Sequence, residues 1–344
     1  MENRSKRYIV KQVYEQYTIY AEKVKKIAAF KGFSIGSIKI LKLGQGKGMA
    51  YWHDIYRFDN SIEHEFKFAG KWGAKGEKRQ KKKKLTPEQV AKNNQRAKET
   101  RMRRTMKANF HPKDLWCCCK YPAGVRLTVE EVKNDKTNFL KILRQEYRKG
   151  GSPLKWIGRL EVGERGGIHF HILINRLWTE QTDAIIADAW DRALQKSALQ
   201  KLRPGCRTQG LVDWRSTYEE GDFKDLAAYI CKQPERDSQE YEQLSLFPKE
   251  EQKELLSYSS SRNLIRPEPE RKRYSHRTVR KLIQDGPKPT PGYYIDLESL
   301  YIGTNPYTGY SYCKYIEIKL PENRIKSTLK KRIHPPRGDD ALWT

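Results

Sequence analysis

Alternation between apolar and polar positions identifies paired strands in the middle of the chain. Residues 156–162 and 168–174 both follow this pattern and are separated by the glycine-containing turn 163–167. A period of two is typical of strands, and a five-residue loop containing Gly favours an antiparallel hairpin. Short apolar runs at 115–119 and 211–214 predict two further strands.

Helical spacing of apolar residues predicts helices around these strands. Two of them begin with a capping box, in which a Thr side chain and the Glu or Gln three residues later satisfy each other's backbone N–H groups. The pairs are Thr86 with Gln89 and Thr128 with Glu131. The predicted helices cover residues 87–107, 128–147, 180–194 and 222–232.

These elements predict an α+β fold whose main domain spans residues 108–270. We expect a central antiparallel β-sheet there, with flanking helices. An accessory region at 1–70 and a basic segment with its helix at 71–107 precede it. Residues 235–256 are polar and predicted to form an exposed insert. Residues 271–344, rich in Tyr and Pro, are expected to form a small β-rich C-terminal appendage with a basic tail.

Charge indicates a polyanionic partner. The 344 residues include 69 Lys and Arg against 42 Asp and Glu, a net charge of +27. Nucleic acid is favoured over a membrane surface, because 20 Tyr, 8 Trp and 10 Phe offer rings for base stacking.

The basic charge is concentrated in residues 71–107, which hold 15 Lys and Arg against three Glu. Such a segment binds phosphates without reading sequence, although it could equally be a solvated linker. The side chains expected to contact DNA are Lys81, Lys82, Lys83, Lys84, Arg101, Arg103 and Arg104.

Several classes of protein are excluded by the same pattern. No apolar stretch approaches the 18 residues that cross a membrane, and the first residues lack the apolar core of a signal peptide. Three of the six cysteines are consecutive, at 117–119, which suits neither spaced disulfides nor a tetrahedral zinc site. We therefore expect a cytoplasmic protein in a reducing bacterial cytosol.

Two histidines on strand 168–174 form a candidate metal site. His169 and His171 share one face, because side chains alternate along a strand. If the preceding turn is centred on Arg165, Glu161 lies opposite His169 and points from that same face; a one-residue slip would turn it away. Two imidazoles and a carboxylate leave positions open for water and a phosphate oxygen, as in a catalytic metal site. The alternative is two satisfied strand histidines beside a surface hairpin.

The helix predicted at 222–232 carries a tyrosine off its core-facing side. Its apolar stripe consists of residues at helical spacing: Phe223, Leu226, Ala227 and Ile230. Tyr229 and Lys232 lie together away from that stripe, so the phenol and an ammonium group face another surface. A phenol needs a neighbouring cation to act as a nucleophile at neutral pH. The alternative is a half-exposed surface tyrosine.

Together these residues resemble the HUH endonuclease superfamily, and more closely the rolling-circle replication initiators of plasmids and phages, including the filamentous-phage gene II-like group. The resemblance covers roughly residues 109–267. It rests on four segments of the sequence: Glu161, His169-Phe170-His171, Tyr229-Ile230-Cys231-Lys232 and Ser261-Arg262-Asn263-Leu264.

The resemblance implies an HUH, ferredoxin-like sheet with the histidine strand in its middle. It also implies Mn²⁺ or Mg²⁺ at Glu161, His169 and His171, and a tyrosine that nicks single-stranded origin DNA. The products would be a 5′-phosphotyrosine and a free 3′-hydroxyl. By resemblance alone, Arg262 and Asn263 would contact DNA.

Other functions remain open at this point. A mobilisation relaxase or a single-strand transposase would use the same chemistry, and a non-catalytic DNA-binding regulator could keep the fold. No phosphate-binding loop of the G-x-x-x-x-G-K-[ST] type occurs, so unwinding would need a host helicase, and copying a host polymerase.

A short segment in the polar stretch is similar to the pentapeptide with which bacterial replication proteins bind the sliding clamp. Its candidate anchors are Gln243, Leu244, Leu246 and Phe247. Exposed apolar anchors in a polar segment suit docking into another protein's groove. The alternative is that these residues fold back onto their own domain.

Overall fold

The computed structural model describes residues 50–69, 85–177, 181–217, 223–234, 238–304 and 311–320. Its strands are β1 (Ala50–Arg57), β2 (Ser61–Phe68), β3 (Leu115–Cys119), β4 (Trp156–Val162), β5 (Ile168–Ile174), β6 (Val212–Ser216), β7 (Tyr258–Ser260), β8 (Glu270–Ser275), β9 (Tyr293–Thr304) and β10 (Ser311–Lys319). Its helices are α1 (Pro87–Lys107), α2 (Val129–Lys149), α3 (Thr182–Leu194), α4 (Leu199–Leu202), α5 (Lys224–Cys231), α6 (Gln239–Ser245), α7 (Lys249–Leu255) and α8 (His276–Asp285).

The chain divides into two compact units, each with a five-stranded antiparallel sheet. The central unit is Leu85–Pro267, and the terminal unit combines Met1–Lys84 with Glu268–Thr344. The predicted α+β class is confirmed. None of the described helices is long and apolar enough to cross a membrane.

The sheet of the central unit has the strand order β6-β3-β5-β4-β7, so the histidine strand β5 lies in the middle. One face packs against α2 and α3 through buried residues such as Phe139, Phe170 and Trp190. The other face, which carries the histidines, is partly covered by α1 and α5, where Met106 and Ile230 are buried. This arrangement leaves one end of the histidine face for a functional site.

Local sequence signals explain most element boundaries of the central unit. Helix α1 begins after Thr86, whose Oγ1 accepts from the N–H of Gln89 at 3.3 Å while the Gln89 side chain accepts from the N–H of Thr86 at 3.1 Å. The capping box at Thr128 is also present, and β3, β4 and β5 have their predicted bounds. Helices α3 and α5 are shorter than predicted by one to two residues at an end, as is usual for sequence-based boundaries.

The terminal unit joins segments from both ends of the chain. Strand β1 pairs with β8, and β2 pairs with β10. The buried carboxylate of Asp54 accepts hydrogen bonds from Arg271 at 2.6 and 2.9 Å. The predicted N-terminal accessory region and C-terminal appendage therefore contribute to one sheet, and the predicted segment boundaries differ from the two units. Pairing between residues more than 200 positions apart leaves no local pattern in a sequence.

The stretch 235–256, predicted as an exposed polar insert, contains two short helices that pack on the central unit. Leu244 of α6 and Leu255 of α7 are buried in the core under the sheet. The prediction of full exposure is wrong at these positions, because single apolar residues on short helices supply enough contact to hold the segment.

Candidate active site

The β4–β5 hairpin places four polar side chains on one face of the sheet. Its register pairs Glu161 with His169 and Val162 with Ile168, as predicted, and Arg159 with His171. The turn is closed by a 2.8 Å hydrogen bond from the N–H of Gly163 to the carbonyl of Gly167. Arg159, Glu161, His169 and His171 consequently project from the same side of two neighbouring strands.

Helix α5 brings Tyr229 onto this face. The Tyr229 hydroxyl donates a hydrogen bond to Oε2 of Glu161 and lies 3.3 Å from Nε2 of His171. That Nε2 atom is 2.8 Å from the same Glu161 oxygen. Trp116 of β3 stacks on the His171 ring and meets the Tyr229 ring edge to face, both at 5.7 Å between centroids. The phenol, carboxylate and imidazole thus converge, and Trp116 supports two of them.

Burial and hydrogen bonding shift the pKa values of these groups. Burial alone would raise the pKa of Glu161, but hydrogen bonds from His171 and Tyr229 lower it to about 2. Burial opposes protonation of His171, yet its contacts with Cys118 and Glu161 raise its pKa to about 9. Burial and the hydrogen bond to Glu161 raise the pKa of Tyr229. The phenol is therefore protonated at neutral pH in this arrangement.

Arg159 holds the end of the helix that carries Tyr229. The side chain is buried, and its Nη1 donates to the carbonyls of Tyr229, Ile230 and Lys232 at 3.2, 3.3 and 2.9 Å. Carbonyls at a helix C-terminus have no partner within the helix and carry its partial negative charge. A guanidinium is well suited to them. Sequence reasoning missed Arg159, although strand alternation from Glu161 places it on the site face.

Lys232 is not beside the Tyr229 hydroxyl in the structure. Its Nζ lies 3.0 Å from Oε2 of Glu240 on α6. Both residues line a small cavity together with Glu161 and Arg159. The role of Lys232 in catalysis therefore stays a prediction, and Glu240 is a neighbour that the sequence did not indicate.

The donor types at the site suit a divalent ion, since imidazole and carboxylate ligands bind Mn²⁺ and related metals. In the described part of the chain, however, no group of three or more His, Cys, Asp or Glu side chains is arranged to hold one. The rings of His169 and His171 are 6.3 Å apart between centroids and perpendicular. The Glu161 carboxylate contacts His171 and Tyr229. The metal site fits by chemistry and stays a prediction.

The predicted DNA-binding residues are spread over different regions. Lys81, Lys82, Lys83 and Lys84 lie outside the described residues. On α1, Met102 and Met106 face the core, Arg101 is exposed, and Arg103 and Arg104 are half-buried.

Arg262 and Asn263 follow β7 and lie near the start of β4. The side-chain amide of Asn263 donates to the carbonyl of Leu154 at 3.1 Å. Leu154 precedes β4, whereas Glu161 is near the other end of that strand. The pair is therefore remote from Tyr229 along the strand, and its contact with DNA stays a prediction.

The predicted clamp-binding segment lies at the end of α6. Leu244 is buried and Phe247 packs against the core, whereas Leu246 is 76% exposed. The alternative in which these residues fold onto their own domain describes most of the segment. Binding to a sliding clamp stays a prediction, and it would require Phe247 to leave its present contacts.

Comparison with known proteins identifies a family resemblance over the same region. No curated protein and no solved structure matches the chain. Residues 114–237 match the family model of the replication-associated protein ORF2/gene II protein. The matched stretch contains the Glu161 strand, the histidine strand and Tyr229. This match supports a rolling-circle replication initiator.

Proposed function

We propose that this protein nicks single-stranded DNA at a replication origin by attack of Tyr229 on a phosphodiester. The observation that carries the proposal is the contact of the Tyr229 hydroxyl with both Glu161 and His171. The family match over residues 114–237 adds the biological setting, replication. The products are a 5′-phosphotyrosine and a free 3′-hydroxyl from which copying begins.

Each group at the site has a task in this reaction. The bond between the Tyr229 oxygen and phosphorus forms as the bond from phosphorus to the 3′-oxygen breaks. The phenol proton passes to Oε2 of Glu161, which already accepts its hydrogen bond, and the 3′-oxygen takes up a proton from solvent. Glu161, His169 and His171 would hold the divalent ion, Mn²⁺ or Mg²⁺, whose chemistry is polarisation of the phosphate and stabilisation of the phenolate.

The position of Tyr229 is set by its surroundings. Arg159 holds the last turn of α5, and Trp116 limits the movement of the phenol ring. Holding a nucleophile near its target can supply several kcal/mol of the barrier, so a rigid phenol suits this chemistry. The phosphotyrosine bond keeps the energy of the phosphodiester, so resealing requires no nucleotide.

The test is a covalent adduct between protein and DNA. Wild-type protein with Mn²⁺ is incubated with single-stranded oligonucleotides that tile the DNA around its own gene, and adducts are mapped by mass spectrometry. We expect DNA on the peptide containing Tyr229, none in Tyr229→Phe, and a normal yield in Tyr241→Phe, which alters an exposed tyrosine of α6. An undiminished adduct in Tyr229→Phe would overturn the proposal.

The proposed reaction implies several partners. Origin DNA, a host helicase and a host polymerase would be required, and a sliding clamp is a further candidate. A relaxase or transposase would give the same adduct, so the location of the tiled oligonucleotide that reacts decides between replication and transfer.

A further inference from the structure

A cleft of about 750 Å³ opens in the central unit, away from the Tyr229 site. Its walls come from the end of α2, the turn that follows, the start of β4 and the loop after β7. None of its lining residues is Asp or Glu. A cleft with only basic and neutral walls is suited to an anion.

Three arginines line this cleft: Arg144, Arg148 and Arg262. Arg144 and Arg148 are four residues apart on α2 and so lie on one side of the helix. All three are exposed, and none of the guanidinium groups forms a hydrogen bond or ion pair with the residues that the structure describes. Neighbouring like charges without partners destabilise a helix slightly, whereas guanidinium groups bind phosphate oxygens in pairs.

The cleft is built on ordered backbone. Ser261 is tied to Trp156 by two hydrogen bonds, one from the Trp156 N–H to the serine hydroxyl at 3.1 Å and one from the Ser261 N–H to the Trp156 carbonyl at 2.9 Å. The Asn263 side chain binds the carbonyl of Leu154 on the other side of Arg262. The loop that presents Arg262 is therefore fixed on both sides.

A second observation indicates that the cleft lacks a ligand. Trp156 lines it and is only 5% exposed, yet its indole N–H has no hydrogen-bond partner within the described residues. A buried donor without an acceptor costs about 1–3 kcal/mol. A phosphate oxygen or a base carbonyl would satisfy it.

We propose that this arginine cleft binds the backbone of single-stranded DNA flanking the bond that Tyr229 cuts. The inference rests on the proposed function. Trp156 and Glu161 are five positions apart on β4, roughly 17 Å at the usual rise of a strand. Trp156 packs on the opposite sheet face, and only the three-residue edge strand β7 lies beyond β4. The DNA would pass around this edge between the two sites.

The test measures binding without cleavage, so that it is independent of the nicking reaction. In a Tyr229→Phe background, the variant Arg144→Gln/Arg148→Gln/Arg262→Gln is compared with Lys196→Gln/Lys201→Gln/Arg207→Gln. The control removes three exposed charges outside the cleft. Fluorescence anisotropy with a labelled single-stranded 30-mer and the matching duplex is recorded over a salt series, and thermal melting verifies folding.

We expect the cleft variant to bind the single strand at least tenfold more weakly than the control. Its salt slope should fall by about 2, because each phosphate contact on a single strand contributes about 0.7. Equal affinity and slope in both variants would overturn the proposal. Equal loss on single strand and duplex would overturn the assignment to single-stranded DNA. If the triple variant fails to fold, Arg262→Glu alone is measured by the same criteria.

Discussion

Replacing Arg159 tests whether the end of α5 positions the nucleophile. Arg159→Met removes the guanidinium and leaves the carbonyls of Tyr229, Ile230 and Lys232 without their donor. A hydrogen bond to a charged group contributes about 1.5–3 kcal/mol. Because one Nη1 atom serves all three carbonyls, the bonds are not independent, and we expect a total loss of about 3 kcal/mol in the free energy of unfolding.

The same substitution should slow the reaction more than it weakens DNA binding. A shift of about 1 Å in a reacting group can cost roughly a hundredfold in rate. At saturating DNA we therefore expect the single-turnover rate of adduct formation to fall about a hundredfold, with less than a twofold change in DNA affinity. Arg159→Lys keeps the charge but not the geometry and should recover part of the rate.

The matched control is Arg203→Met, which also removes an arginine that donates to a loop carbonyl, that of Ala123 at 3.0 Å. It lies on no element that carries Tyr229, so its rate should equal that of the wild type. Denaturant unfolding and quenched-flow adduct assays supply the two measurements. If Arg159→Met loses stability but reacts at the wild-type rate under saturation, Arg159 is only structural and the reasoning fails.

Three further substitutions have defined outcomes. A Cβ at Gly158 would lie 2.6 Å from the carbonyl oxygen of His171, so Gly158→Ala should cost about 1–3 kcal/mol, measured by denaturant unfolding. Asn109 pairs with the N–H and carbonyl of Ile265, so Asn109→Ala should cost about 2 kcal/mol; an unchanged unfolding midpoint would contradict this. Burial lowers the pKa of His53 from 6.5 to about 4. The unfolded chain therefore takes up the proton first, and acidification from pH 6.5 to 4 should remove about 3 kcal/mol of stability, a loss that His53→Gln should lack.

The central hairpin was predictable because its signals are local. Alternation gave both strands, the turn length gave the register, and register alone placed Glu161 opposite His169. The position of Tyr229 off the apolar stripe of its helix was equally readable. Its contact with Glu161 was not, because that contact depends on how α5 docks across the sheet.

What the sequence did not reveal depends on contacts between distant segments. Arg159 occupies a readable position, but its function appears only when the last turn of α5 lies above it. The pairing of Lys232 with Glu240 depends on α6 folding back onto the domain. The arginine cleft combines two residues of α2 with a loop more than 100 positions later.

The order in which the ribosome delivers the chain has a consequence for the terminal unit. Strands β1 and β2 emerge early, but their partners β8 and β10 follow only after the whole central unit has been synthesised. At about 5–20 residues per second the wait is on the order of 10–40 s. During translation the two early strands expose unpaired edges, so nascent chains stalled within the central unit should be prone to capture by chaperones.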